Sequence, residues 1–108
     1  AAGAMRKEFR ELDDAAATRC DILVADDVEG SKSECGDLIF PIQAGLLNWG
    51  QVRDLSEIVS GSAPGRNSES DITLFESQGM ALEDIVAGIK VYQLAMEQGV
   101  GVEMPISK

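Results

Sequence analysis

Residues 20–27 read CDILVADD, a nearly continuous apolar run that ends in two aspartates. An uninterrupted apolar run predicts a strand buried on both faces, which is typical of a parallel sheet covered by helices. We expect the two aspartates to cap the next helix or face solvent rather than act as an acid–base pair. Just before the run, Asp13 and Asp14 open a stretch of helix formers that ends at Arg19, and this polarity predicts a short helix. The fold class predicted from this region is α/β.

A second strand and a long helix are predicted in the C-terminal half. Residues 71–77 (DITLFES) are rich in β-branched and aromatic residues, which favours a strand. A helix is predicted to begin at Met80 and end at Gln98, and its apolar residues occupy several faces, so we expect it to be covered on more than one side. Apolar residues then alternate over residues 100–106 and predict a short strand, with Pro105 suited to a sheet edge.

The middle of the chain is harder to assign. Residues 29–35 predict a short polar helix that is broken at Gly36. Residues 37–42 are apolar, but Pro41 would not be tolerated in a central strand, so this segment is left without an assignment. A helix that ends at Gly61 is predicted from a reciprocal capping pair and one apolar face. Its capping and apolar residues are Asn48, Gln51, Val52, Leu55, Ile58 and Val59.

Composition excludes several classes of protein and site. The chain has 108 residues, 19 acidic against 9 basic side chains, and a net charge of −10. It is therefore expected to be a single domain that avoids nucleic acid and anionic membranes, and to be cytoplasmic because it has no leader or membrane-spanning run. The absence of histidine excludes histidine-dependent nucleophiles and metal sites within this chain. Cys20 and Cys35 are expected to be small buried hydrophobes, and no metal site is predicted.

Several short motifs stand in an order that resembles the ornithine cyclodeaminase/mu-crystallin family, which includes archaeal-type alanine dehydrogenases. They are AGA at 2–4, RELDD at 10–14, VADD at 24–27, ECGD at 34–37, DLSE at 54–57, and ITLFESQG at 72–79 followed by ALED at 81–84. The resemblance covers nearly the whole chain, and the last motif is the most specific.

The resemblance implies a single truncated Rossmann-like domain over residues 1–108, in which a small parallel sheet is flanked by helices. Family members bind NAD(P) and use a separate domain for substrate-binding Arg and Lys residues and for dimer contacts. The phosphate-binding G-x-G-x-x-G turn does not occur in this chain. We therefore expect the chain to correspond to the C-terminal portion of the NAD(P)-binding domain, without the first half of that domain and without the catalytic domain.

The resemblance also implies a cofactor-binding site made of two segments near the nicotinamide. The residues are Gly3, Ala4, Met5, Ser77, Gln78 and Gly79. Ser77 lies at the carboxyl end of a strand, where ligands of open α/β sheets bind, although a helix N-cap is the alternative role for it or for Gln78. Cyclodeaminases carry a catalytic aspartate near the first segment, where this chain has Ala4 and Met5. No catalytic residue is therefore assigned.

Three functions remain open. The first is a non-catalytic relative of the NAD(P)-dependent proteins that binds no cofactor in isolation, has an unknown function of its own, and is completed by homo-oligomerisation through residues 80–98 and the C-terminal strand. The second is a part of an NAD(P)-dependent cyclodeaminase or alanine dehydrogenase. The third is a small-ligand or protein-binding module that reuses the fold. The isolated chain is more readily explained as a non-enzyme.

Overall fold

The computed structural model describes residues 1–4 and 6–105. Five helices, three strands and one 3-10 turn alternate along this part of the chain. They are α1 (Asp14–Thr18), β1 (Ile22–Ala25), α2 (Val28–Glu34), α3 (Gly36–Gln43), the 3-10 turn (Trp49–Gln51), β2 (Val52–Asp54), α4 (Leu55–Ser60), β3 (Thr73–Glu76) and α5 (Ala81–Gln98).

The three strands form a parallel sheet in the order β2-β1-β3. The central strand β1 comes from the 20–27 run, and its Leu23 pairs with Val52 on one side and Leu74 on the other. These three side chains share a face with Ala25 and form the main core with Leu38 of α3. On the opposite face Val24 is also buried. The predicted strand buried on both faces is therefore confirmed, and so is an α/β fold with a small parallel sheet flanked by helices.

The prediction of one helix up to Gly61 is wrong in its first half. Gln51 Oε1 does accept from the backbone N–H of Asn48 at 2.8 Å, but this capping pair closes only the 3-10 turn. The chain then extends as β2, and α4 begins anew at Leu55 and ends at Gly61, as expected. A strand of three residues is too short to show a periodicity of its own, and its hydrogen bonds to β1 decide its conformation.

The unassigned segment 37–42 belongs to α3. Gly36, expected to break α2, is the first residue of α3, and Cys35 alone separates the two helices. Pro41 lies inside α3 and is buried there. Proline removes one helical hydrogen bond, but Leu38 and Ile39 of the same helix are buried in the core, which offsets that cost.

The C-terminal segment differs from its prediction. Helix α5 forms as expected and ends at Gly99, which has a φ of 65°, but residues 100–105 form no strand, and residue 106 lies outside the described residues. The glycine cap turns the chain back, because the Val100 N–H donates to the Ala95 carbonyl at 3.0 Å. No residue of α5 is buried, so the expected cover is not supplied by the described part of this chain.

Helix α5 gives the chain an elongated shape. The radius of gyration is 18.1 Å, against about 13 Å for a compact chain of this length. Over residues 1–4 and 6–105, no helix is both long and apolar enough to cross a bilayer.

Replacing Gly36 with alanine is expected to destabilise the fold. A Cβ added at Gly36 would lie 2.2 Å from the carbonyl oxygen of Lys7, so the 6–10 loop must shift, at a cost of about 2 to 3 kcal/mol. At Gly65 the added Cβ would meet Ile58 at an ordinary 3.5 Å. Gly65→Ala is therefore the matched control, expected within about 0.5 kcal/mol of wild type. Urea unfolding followed by Trp49 fluorescence checks both, and equal stability of the two variants would contradict the close approach.

Candidate functional site

The candidate site lies where the three parallel strands end. Asp26 follows β1, Asp54 closes β2, and the loop Ser77–Gln78–Gly79 follows β3, so all three stand at the carboxyl edge of the sheet. In open α/β sheets this edge is the usual position of ligands. The order β2-β1-β3 puts Asp26 in the centre of the edge.

Asp26 holds the loop that follows β3. Its Oδ2 accepts hydrogen bonds from Ser77 Oγ at 2.9 Å, from the Gln78 N–H at 3.0 Å and from the Gly79 N–H at 2.9 Å. Its Oδ1 accepts from the Asp27 N–H at 2.8 Å. The side chain is buried among these donors, so Asp26 acts as a fixed acceptor that sets the path of the loop.

The predicted residues Ser77, Gln78 and Gly79 are thereby brought together. Gln78 Oε1 accepts from Ser31 Oγ of α2 at 2.8 Å, which ties the loop to a second element. Gly79 is exposed at φ +83°, and a Cβ added there would meet no atom within 4 Å. The loop therefore presents a backbone surface free of side chains on its outer side. Neither Ser77 nor Gln78 caps α5, whose N-cap is Met80.

The first predicted segment, at positions 3–5, follows Ala1, which adjoins this loop. The Ala1 amino group donates to the Phe75 carbonyl at 2.7 Å, and the Ser77 N–H donates to the Ala1 carbonyl at 3.0 Å. This is the hydrogen-bond pattern of a parallel ladder, so the start of the chain lies along β3. From there Gly3 is exposed and Ala4 is buried, whereas Met5 lies outside the described residues.

Two further carboxylates hold the turn that carries Gly3. Glu11 Oε2 accepts from the Gly3 N–H at 2.6 Å, and this bond is the largest cause of the lowered pKa of Glu11. Asp37 Oδ1 accepts in turn from the N–H groups of Glu11 at 3.1 Å and Leu12 at 3.0 Å. Arg10 lies with its Nε 3.6 Å from Asp37 Oδ1. The RELDD and ECGD motifs are thus joined to each other and to the first segment.

Glu76 is a buried acid directly beneath this site. Its side chain is 2% exposed, and Oε1 has no hydrogen-bond partner among the described residues. Burial, followed by the charge of Asp37, raises the pKa of Glu76 to about 7.

Burial also raises the pKa of the neighbouring Cys35 thiol to about 12. The expected small hydrophobic role is therefore confirmed for Cys35, while Cys20 is half-buried, and both thiols are free.

Asp26 is the site residue that sequence reasoning missed. Asp27 does cap α2, since its Oδ1 accepts from the Glu29 N–H at 3.0 Å, but the expectation of a cap or a solvent-facing side chain does not describe Asp26. The sequence contained part of the signal for Asp26, because an acid at the end of a central parallel strand must face the loops of neighbouring strands. The three donors that it meets are 51 to 53 residues away in sequence, and pairing them requires the sheet order.

The helix starts at this edge carry carboxylates. The first N–H groups of α2 already donate to carboxylates, Val28 to Asp54 at 3.1 Å and Glu29 to Asp27. The first turn of α5 carries Glu83 and Asp84. Neither helix start therefore suits a pyrophosphate. Among the described residues no group of three or more His, Cys, Asp or Glu could hold a metal ion.

Comparison with known proteins places these features in a family. The profile of the ornithine cyclodeaminase/mu-crystallin family matches residues 1–99. The Delta(1)-pyrroline-2-carboxylate reductase of Bacillus cereus is 36% identical over 102 residues, which are 94% of this chain and 31% of that protein. The chain therefore spans about a third of the length of such relatives.

Two solved structures share the fold. The Thermococcus litoralis Delta(1)-pyrroline-2-carboxylate reductase, in complex with NADH and L-proline, has a TM-score of 0.85 and 38% identity, and the match covers 95% of this chain and 32% of that one. The Paracoccus denitrificans iminosuccinate reductase, in complex with NAD+, has a TM-score of 0.80 and 36% identity, with 96% and 31% covered. The predicted partial Rossmann-like fold is thereby confirmed.

Removing the Asp26 carboxylate is expected to cost more stability than removing that of its neighbour. Asp26→Ala leaves the donors of Ser77, Gln78 and Gly79 without their acceptor and is expected to lower the free energy of unfolding by about 2 to 4 kcal/mol. Asp27→Ala removes one capping bond, worth about 1 kcal/mol. Urea denaturation of both variants measures the difference, and equal losses would show that Asp26 does not hold the loop.

Glu76 is expected to make the protein less stable as the pH rises from about 4.5 to about 7. The folded chain then binds a proton that the unfolded chain has released, so the loss of stability grows until the pH passes the folded pKa and stays constant above it. Glu76→Gln should therefore match wild type near pH 5 and exceed it by about 2 kcal/mol near pH 8.

The exposed Glu69→Gln removes the same formal charge and separates this effect from that of net charge. Urea unfolding at the two pH values is the measurement. A stability gain at Glu76→Gln that is the same at pH 5 and pH 8, or no larger than that of Glu69→Gln, would contradict a buried titrating acid.

Proposed function

Since this chain belongs to the ornithine cyclodeaminase/mu-crystallin family, we propose that it forms the nicotinamide end of a dinucleotide site and has no catalytic activity by itself. The observation that carries the proposal is the loop Ser77–Gly79, held by Asp26 at the carboxyl edge of the sheet. The loop stands at the edge of the sheet where ligands bind, Asp26 fixes its geometry, and its outer surface at Gly79 is open. These three features suit a loop that lies against a planar ring.

The cofactor class follows from the relatives. Two structures of similar proteins hold NADH or NAD+, and a bound nicotinamide supplies or accepts a hydride. The part assigned to this chain is positional. Asp26 fixes the loop, Gly79 keeps the space beside it free of a side chain, and Ser31 ties Gln78 to α2.

The substrate class proposed for the complete protein is an imine next to a carboxylate. Pyrroline-2-carboxylate and iminosuccinate, the compounds named for two of the relatives, both contain a C=N bond beside a carboxylate. Reduction of such a bond needs a hydride and a proton. The chain has alanine and methionine at positions 4 and 5, where cyclodeaminases have a catalytic aspartate, and this favours a reductase over a cyclodeaminase.

The polar side chains at the carboxyl edge of the sheet support the lack of independent catalysis, because they are already hydrogen-bonded within the chain. Asp26, Ser77 and Gln78 already hydrogen-bond to one another or to Ser31. The helix starts nearby are acidic and do not suit a pyrophosphate. A proton donor for the substrate and a phosphate-binding turn therefore have to come from polypeptide beyond these 108 residues.

The isolated chain is expected to bind NADH and NADPH too weakly to saturate below about 1 mM. It is also expected not to oxidise NADH in the presence of pyrroline-2-carboxylate. Calorimetric titration and an absorbance assay measure the two. Micromolar binding would contradict the proposal that this chain forms only the nicotinamide end, and would mean that it builds a whole dinucleotide site.

A chimaera tests the positional role directly. Residues 1–99 replace the matching third of the Bacillus cereus reductase, and the product is expected to reduce pyrroline-2-carboxylate. Adding Gly79→Leu should raise the KM for NADH at least about tenfold. Gly45→Leu is the matched control, because Gly45 also has a positive φ with open space around it, but follows α3. An equal rise in KM from both substitutions would contradict a cofactor contact at Gly79.

A further inference from the structure

Glu76 lies between two alanines in the sheet. On one side its backbone pairs with Ala25 of β1. On the other side it pairs with Ala1, because the Ala1 amino group donates to the Phe75 carbonyl and the Ser77 N–H donates to the Ala1 carbonyl. Side chains of paired residues lie on the same face of a sheet, and a methyl group donates no hydrogen bond. Neither strand partner of Glu76 therefore offers its carboxyl group a donor side chain.

The elements packed on this face bring further negative charge to Glu76. Burial is the main cause that raises the pKa of Glu76, and the charges of Asp37 and then Glu11 raise it further. The amino group of Ala1 and the thiol of Cys35 act in the opposite direction. The charge of Glu76 in turn helps to raise the pKa of Cys20, after burial and Asp21. The titratable groups that face Glu76 therefore come from the chain start, the turn before α1, the turn before β1 and the junction of α2 with α3, and they are Ala1, Glu11, Cys20, Cys35 and Asp37.

The Oε1 atom of Glu76 is shielded by this chain itself. It is buried without a hydrogen-bond partner among the described residues, in a side chain that is 2% exposed. Polypeptide outside these residues cannot reach the atom unless the fold opens. A neutral carboxylic acid tolerates such a position far better than a carboxylate, which loses its hydration without compensation. An ionised Glu76 is therefore hydrated only when a segment that covers it moves away.

Residues 1–4 are the covering segment that can leave without breaking the sheet. They are held to β3 by the two backbone hydrogen bonds of Ala1, and to the turn before α1 by the bond from the Gly3 N–H to Glu11. The other neighbour of β3 is β1, the central strand, which is paired on both edges and contributes Leu23 and Ala25 to the core. Separation of β1 from β3 would unfold the chain.

We propose that the protonation state of Glu76 controls whether residues 1–4 stay paired with β3. The neutral acid leaves the pairing intact, and Gly3 and Ala4 are then held beside the loop Ser77–Gly79. The carboxylate gains water when residues 1–4 separate from β3, so the pairing weakens as the pH rises. Gln78 stays in place in both states, because its N–H donates to Asp26. The consequence for the cofactor rests on the proposed function, since the nicotinamide end is then complete only while Glu76 carries its proton.

Amide hydrogen exchange of the 108-residue chain, followed by NMR between about pH 6 and about pH 8.5, tests the proposal. The protection factor of Ser77, corrected for the intrinsic pH dependence of exchange, is expected to fall at least about tenfold as Glu76 ionises. The Gln78 amide is the internal reference and should keep its protection. The amides of β1 report global unfolding. If Ser77 keeps its protection, exchanges as slowly as β1 at the higher pH, or falls together with Gln78, the proposal is overturned.

Two substitutions of Glu76 separate its charge from its shape. Glu76→Gln and Glu76→Met both remove the ionisable group at similar length, and both should make the protection of Ser77 independent of pH. Glu69→Gln is the matched control, because it removes the same formal charge from an exposed position and should leave the fall unchanged. A fall at Ser77 that persists in both Glu76 variants would show that another group controls the pairing.

The chimaera with the Bacillus cereus reductase carries the same test to the cofactor. Its KM for NADH, relative to that of the parent reductase, is expected to rise at least about fivefold between about pH 6 and about pH 9, and Glu76→Gln should abolish the rise. Ala1 follows a peptide bond there and lacks the charged amino group that lowers the pKa of Glu76, so the midpoint should lie higher than in the isolated chain. An active chimaera whose KM has the same pH dependence with and without Glu76→Gln would overturn the proposal. An inactive chimaera would contradict the proposed function instead, and the exchange measurement would then decide the role of Glu76.

Discussion

The buried carboxylate of Asp26 is the interaction on which the carboxyl edge of this protein depends. It stands at the end of the central strand, and three donors from the loop after β3 converge on one of its oxygen atoms. Charge-assisted hydrogen bonds to backbone N–H groups are strong, and here they fix a loop that contains a glycine in a left-handed conformation. Without that acceptor, the Ser77–Gly79 loop would keep only the bond from the Ser77 N–H to Ala1 and the bond between Gln78 and Ser31.

Other carboxylates of the molecule also accept hydrogen bonds from backbone N–H groups of distant segments, and this gives the acidic composition a structural role. Asp37 accepts from the turn at Glu11, Asp21 accepts from the Ile72 N–H at 2.9 Å, and Asp54 accepts from Val28. Each of these bonds joins segments that are at least 25 residues apart in sequence. Part of the net charge therefore holds loops in place, in addition to any solvated surface. Glu76 is the contrasting case, a buried acid with an unpaired oxygen among the described residues and a raised pKa.

The candidate site and helix α5 meet at one short stretch of chain. Gly79 belongs to the loop held by Asp26, and α5 begins only two residues later at Ala81. The direction in which α5 leaves the sheet is therefore set at the candidate site. Any surface that covers the exposed apolar side chains of α5 will therefore be positioned relative to that loop.

The elements that the sequence determined by itself are those whose signal lies within a few neighbouring residues. The apolar run at 20–27 specified β1, the β-branched run at 71–77 specified β3, and the periodicity after Met80 specified α5. The order of short motifs was sufficient to identify the family, and it made the Ser77–Gly79 loop a candidate site. Tertiary structure decided the rest. Residues 52–54 become a strand only because β1 offers hydrogen bonds, and Pro41 is accepted in α3 because that helix is buried against the sheet. Asp26 acquires its role only when sheet order brings a loop about fifty residues away onto its carboxylate, and no local pattern encodes a contact at that separation.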